Sequence, residues 1–266
     1  MARGAEGLVQ VRGSEPLASA AAIELAGVRR AFGDVVALER VDLRVPRNAR
    51  VAVVGPSGGG KSTLLSLVSG LLEPDAGSVH VDGASEPRER LRRCALMPQK
   101  DLLLPWRNAL DNAILALENQ GVPRTAAREL ARPLFARVGL EAFEAKRPAE
   151  LSGGMRQRVA FLRTLLAGKD VLLLDEPFGA LDSLTRGQMQ EWLLEVLRLQ
   201  ARTTLLVTHD VEEALFLADR VVVLSARPGR VLAQFDVDVA RGASRRETVT
   251  DPAFVALREQ VLEALD

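Results

Sequence analysis

Two stretches near the start of the chain, Ile23 to Val28 and Ala37 to Val45, alternate apolar with polar or charged residues. A period of two marks half-buried antiparallel strands, and Gly33-Asp34 between them supplies a turn. Arg50 to Val54 differs, carrying a continuous apolar run into a glycine-rich loop, after which Leu64, Leu65, Leu67 and Val68 recur at helical spacing. This pattern predicts a buried strand, a loop and a helix. Gly77 to Asp82 and Arg93 to Met97 read as short strands punctuated by Pro74, Gly83, Pro87 and Pro98, His80 lying at the surface of a hairpin-like strand. From Asn108 to Ala167 the period turns helical, and breaks at Gly121, Pro123, Gly139 and Pro148 divide it into three or four helices. Val171 to Leu174 and Thr203 to Val207 are further buried-strand runs, each followed by helix-forming sequence, the rhythm of a parallel sheet. Between them Met189, Trp192, Leu193, Val196 and Leu197 form a core-facing helical stripe, which assigns Trp192 to packing. Asp210 and Glu213 have capping-box spacing, and strands near Arg220 to Leu224 and Arg230 to Phe235 precede a short C-terminal helix.

The pattern predicts an α/β fold: a parallel-sheet core, an N-terminal antiparallel β layer, and a helical subdomain inserted over about residues 100–167. Residues 1–21 read as a flexible tail and 22–266 as one domain. With 47% hydrophobic and 26% charged residues the composition is that of a globular protein. Lys+Arg and Asp+Glu are both 35, so there is no overall basic field to gather nucleic acid. No apolar run approaches the roughly 20 residues of a spanning helix, and Glu6, Arg12, Gly13 and Glu15 interrupt any signal-peptide core. A single cysteine, Cys94, excludes an intrachain disulfide or a multi-cysteine zinc site and fits a reducing cytoplasm.

Gly55-Pro56-Ser57-Gly58-Gly59-Gly60-Lys61-Ser62, followed by Thr63, fits Gly-x-x-x-x-Gly-Lys-Ser/Thr between a buried strand and a helix. Glycines let successive backbone N–H groups face phosphate oxygens, Lys61 adds a cation, and the Ser62 hydroxyl can ligate Mg²⁺. Asp175 and Glu176 end the Val171 run at a sheet edge; Asp175 would hold Mg²⁺ and Glu176 would deprotonate the attacking water, their side chains diverging as neighbours on an extended strand do. His209 follows Thr203 to Val207 and reaches the same edge, and Gln99 could reach the metal or the water. Leu151-Ser152-Gly153-Gly154-Met155-Arg156-Gln157 opens a long helix whose capped, bare N-terminus is a second anion site, which suggests that two copies sandwich each nucleotide.

Taken in order, Gly55 to Ser62, Gln99, Leu151 to Gln157, Leu172 to Glu176, Ala180-Leu181-Asp182 and His209 resemble the Walker A, Q-loop, signature, Walker B, D-loop and H-loop of ABC transporter ATP-binding subunits, over roughly residues 22–235. The resemblance implies a P-loop NTPase core using ATP and Mg²⁺ and a head-to-tail homodimer closing on two ATP molecules. In it Ser152, Gly153 and Gly154 of one copy face the γ-phosphate held by the other, with Asp182 beside them. Phe32 sits where an aromatic residue stacks on adenine.

Leu102-Leu103-Leu104-Pro105-Trp106 follows the Q-loop, where this family receives the coupling helix of its membrane subunit; packing within the helical subdomain is the competing account of Trp106. This segment, with Asp175 to Asp182 and Thr208 to Leu215, is similar to the nitrate, sulfonate and taurine importer group. That implies transmembrane permease subunits, an extracytoplasmic solute-binding protein and a peripheral position on the cytoplasmic face of the inner membrane. Import of a thiamine pyrimidine precursor, a stand-alone ATPase for lipoprotein release or mechanical signalling, and a soluble P-loop kinase are the other readings. The kinase has no use for Leu151 to Gln157.

Overall fold

The computed structural model describes residues 21–242 and 244–266; the predicted tail lies outside the described residues except for Ala21, which opens the first strand. Strands β1 (Ala21–Phe32), β2 (Val35–Pro46) and β4 (Ala76–Val81) form an antiparallel sheet in the order β2-β1-β4. Strands β3 (Arg50–Val54), β5 (Cys94–Met97), β6 (Val171–Asp175), β7 (Thr203–Thr208), β8 (Arg220–Leu224) and β9 (Val231–Asp236) form a second sheet, ordered β5-β6-β7-β3-β8-β9. Its first five members are parallel, and β9 alone runs antiparallel beside β8.

The continuous apolar runs follow from burial on both faces. Along β3, Val51 and Val53 join one core with β1, β2 and helix α1 (Lys61–Ser69), while Ala52 and Val54 join the other beneath the helices. That second core takes in helices α3 (Ala109–Ala113), α5 (Arg124–Arg137), α6 (Gly153–Leu166), α7 (Ser183–Leu199) and α8 (Val211–Leu217). Trp192 lies within it, edge-on to Phe161 at 5.6 Å between ring centroids.

Three elements depart from the sequence-based expectation. Helix α2 (Pro87–Arg93) stands where only a proline break was expected, anchored by one buried side chain, Arg90, which pairs with Glu73 and donates to the Val79 carbonyl. His80 is half-buried in β4, which pairs with β1 at Glu24 and forms no hairpin. The short C-terminal helix is two helices, α9 (Arg245–Val249) and α10 (Pro252–Glu263), because Asp251 caps and Pro252 starts a new one. The helical stretch also contains α4 (Leu115–Asn119) and 3₁₀ turns at Glu141–Phe143 and Pro148–Glu150.

Parallel strands end at a common edge. The segments after β3, β5, β6, β7 and β8 therefore converge, and they carry Gly55 to Ser62, Gln99, Glu176, His209 and Arg227.

Candidate active site

A cleft of about 580 Å³ opens at that edge, lined by Phe32, Val35 and Ala37 on one side and by Ser57, Gly58, Gly60, Lys61, Ser62, Thr63, Gln99, Glu176 and Arg227 on the other. The loop after β3 holds its curl through left-handed backbone at Gly58 and Gly60. At Gly60 a side chain is also sterically barred, since a Cβ would stand 2.6 Å from Leu38 Cδ2 and 2.7 Å from the Ala37 carbonyl. Lys61 is buried and donates from Nζ to the carbonyls of Gly55 (2.7 Å) and Pro56 (2.9 Å), so its ammonium is aimed by the loop itself. Burial pulls its pKa below the usual lysine range, against the opposing pull of Glu176 and Asp175.

Asp175 ends β6, buried, with a side-chain hydrogen bond to Ser62. Burial lifts its pKa above the ordinary carboxylate value, the Ser62 bond working the other way. The hydroxyl, this carboxylate and the Gln99 amide oxygen are hard oxygen donors of the kind Mg²⁺ takes, so the residues fit that ion.

Glu176 breaks the expected extended geometry. Its φ is +46°, a left-handed conformation costing a non-glycine residue about 1–3 kcal/mol. Gln99 Nε2 donates to Glu176 Oε2 at 3.1 Å, and His209 Nδ1 lies 3.2 Å from Glu176 Oε1. The backbone is pinned as well: Glu176 N donates to the Val207 carbonyl, and buried Gln157 of α6 donates from Nε2 to the carbonyls of Pro177 (3.2 Å) and Glu176 (3.4 Å). Three sequence-predicted residues, Gln99, Glu176 and His209, thus form one cluster.

Ser152, Gly153, Gly154 and Asp182 are absent from the cleft's lining. Ser152 caps α6, accepting from Met155 N at 3.2 Å, and Asp182 caps α7, accepting from Thr185 N at 3.0 Å, a bond that holds its pKa below the usual range. Gly154 packs on Leu181, where a Cβ would meet Leu181 Cδ2 at 3.1 Å. Phe32 is half exposed at the cleft mouth, with the Arg30 guanidinium 4.9 Å from its ring centroid. Sequence reasoning missed Arg227; a cation just past β8, the strand beside β3, was the signal that could have found it.

A parallel sheet with a phosphate-binding loop at its carboxyl edge, a paired Ser–Asp behind it and a clamped glutamate facing it defines a P-loop nucleotide hydrolase. Residues 38–179 match the ABC transporter family. The taurine import ATP-binding protein TauB of Rhizobium johnstonii is 45% identical over 231 residues, 85% of this chain and 88% of that protein. TauB of Escherichia coli strain K12 is 42% identical over 235 residues, 87% and 92% of the respective chains. Among solved structures, the dimeric structure of MJ0796, a bacterial ABC transporter cassette, superposes with a TM-score of 0.75 at 30% identity, covering 83% of this chain and 99% of that one. A post-hydrolysis state of the same cassette bound to ADP and Pi gives 0.72 at 28%. The chain belongs to the ABC transporter family, as one of its ATP-binding, ATP-hydrolysing cassettes.

Proposed function

We propose that this cassette is the motor subunit of an importer for taurine or a similar small sulfonate. It would work as a nucleotide-sandwich homodimer beneath transmembrane permease subunits at the cytoplasmic face of the membrane, supplied by an extracytoplasmic solute-binding protein. The taurine-import names of its relatives support the solute class. In this reading residues 100–167 act as a helical subdomain within one ATPase domain over 22–266.

The loop Gly55 to Thr63 cradles the ATP phosphates, Lys61 neutralises them, and Phe32 stacks on adenine. Ser62, Asp175 and Gln99 would hold Mg²⁺, which when bound supplies charge neutralisation on the β- and γ-phosphates. Glu176 takes a proton from the attacking water as its oxygen bonds the γ-phosphorus and the bond to the ADP oxygen breaks. His209 and Gln99 hold the two carboxylate oxygens of Glu176 in line. Ser152, Gly153 and Gly154 would close the site from the partner copy, with Asp182 at the seam.

One observation carries the transport reading. The segment 99–106 runs from the catalytic cluster to an exposed apolar surface: Gln99 binds Glu176, Asp101 pairs with Arg156 of α6 at 2.9 Å, and Arg163 donates to the carbonyls of Asp101 and Leu102. The segment then presents Leu102, Pro105 and Trp106 to solvent, Trp106 being 70% exposed. Exposure favours docking over the packing alternative for Trp106. The test is ATP turnover of the assembled transporter in liposomes with its binding protein and a panel of sulfonates, taurine, nitrate and thiamine precursors. Stimulation by taurine or another sulfonate is expected. Stimulation only by nitrate or a thiamine precursor would overturn the solute, and turnover indifferent to every solute would overturn the importer.

A further inference from the structure

The segment between β8 and β9 is built against the phosphate loop. Ser225 Oγ accepts from Arg230 N at 2.9 Å and donates to the Pro228 carbonyl at 2.9 Å, closing the turn on itself. Gly229 N donates to the Ala37 carbonyl at 2.9 Å and Glu39 N to the Gly229 carbonyl at 3.0 Å, fastening the turn to β2. Contact with the phosphate loop is close enough to exclude side chains on both surfaces. A Cβ on Gly229 would stand 2.2 Å from the Gly59 carbonyl, and one on Gly59 2.7 Å from the Ser225 carbonyl.

On this fixed turn Arg227 points into the cleft. Its Nε donates to the Gly58 carbonyl at 3.2 Å, and its Nη2 lies 3.2 Å from where a Gly58 Cβ would be. Among the described residues it makes no ion pair, and the Nε bond is its one hydrogen bond to protein. Arg30, by contrast, is paired with Asp75 at 2.8 Å. Arg227 therefore presents terminal guanidinium N–H groups, paired with no carboxylate among the described residues, at the rim of a cleft whose lining also carries Lys61, Ser62, Thr63 and the Gly58 and Gly60 backbone of the phosphate loop. A planar fork of N–H donors in that position suits phosphoryl oxygens, and anchoring through Nε lowers the entropy lost on binding.

We propose that Arg227 is a nucleotide-binding residue that donates to the polyphosphate chain of the bound nucleotide. The inference rests on the phosphate-loop reading of Gly55 to Thr63.

The experiment is equilibrium titration of the full chain with ATP, ADP and adenosine, for wild type, Arg227→Ala, Arg227→Gln, Arg227→Lys and Lys61→Ala. Arg227→Ala and Arg227→Gln are expected to bind ATP and ADP about tenfold more weakly, about 1.4 kcal/mol, with adenosine binding unchanged and the nucleotide-free melting temperature preserved. Arg227→Lys should recover part of the loss. Wild-type ATP affinity in Arg227→Gln, whose amide can still donate to Gly58, would reduce the residue to a brace for the loop and overturn the proposal. An equal loss for adenosine would overturn it too, placing the contact on the nucleoside. If Lys61→Ala also binds ATP like wild type, the phosphate-loop reading itself falls; if Lys61→Ala alone loses binding, only Arg227 is misassigned.

Discussion

Glu213 lies in the first turn of α8, four residues beyond His209, and is 3% exposed. Its Oε2 accepts from Gln190 Nε2 at 3.1 Å, while among the described residues Oε1 is buried with no hydrogen bond of good geometry. Burial, reinforced by the nearby Asp210 carboxylate, pushes its pKa from an ordinary 4.5 up to about 7; contacts from Thr208 and Gln190 and the charge of Arg186 pull the other way. The folded protein therefore keeps this proton up to about pH 7, whereas the unfolded chain releases it near 4.5. Between those values the folded state binds more protons, so stability falls as pH rises, and above pH 7 the cost is complete. From 4.5 to about 7, at about 1.36 kcal/mol per pH unit, the cost reaches about 3 kcal/mol, an upper bound because the site can relax. Glu213→Gln keeps an amide oxygen for Gln190 and carries no charge at any pH. Urea unfolding of both proteins without nucleotide, at half-unit steps from pH 5 to 8, should show the variant gaining about 1–3 kcal/mol on wild type across the range. A constant difference, or one that moves in favour of wild type, would refute the argument.

Glu176→Gln should still bind ATP while steady-state hydrolysis falls about 10²- to 10⁴-fold; wild-type turnover by phosphate release would remove Glu176 as the base. Trp106→Ala, at a surface position, should change unfolding free energy by less than about 0.5 kcal/mol and keep ATP affinity, yet lose co-purification with the permease; normal assembly would show that the exposed patch docks nothing.

The parallel sheet was legible because β3, β6, β7 and β8 are buried on both faces, and burial writes continuous Val and Leu runs into the sequence. The phosphate loop was legible because only glycine fits at Gly60. The split between α9 and α10 is written locally in Asp251-Pro252, whereas at helix α2, Glu176 and Arg227 the deciding contact was distant or carried no residue-type signal. Helix α2 has a charged, seven-residue sequence and is held by Arg90 alone among its buried residues, through Glu73 and Val79. The left-handed turn at Glu176 is imposed by its surroundings, among them the Gln157 and Val207 backbone contacts, because glutamate has no preference for that conformation. Arg227 enters the cleft only because β8 was inserted beside β3, a pairing of residues some 170 apart in sequence.

The same logic explains why part of the proposed machinery stands away from the cleft. Gln157 grips the backbone of Glu176 and Pro177 from α6, whereas Ser152 and Gly153, at the start of that helix, lie outside the cleft's lining. Gly154 abuts Leu181, one residue before the cap of α7, so the two helix starts form a single ledge. On the proposed reading, closure of a partner's nucleotide onto that ledge would press on α6. Through Gln157 it would reach this chain's own glutamate, and through Arg156 and Arg163 the Asp101–Leu102 segment that leads to Trp106. Nucleotide state and the docking surface would then be coupled by one rigid helix, because both ends of the linkage are anchored on α6.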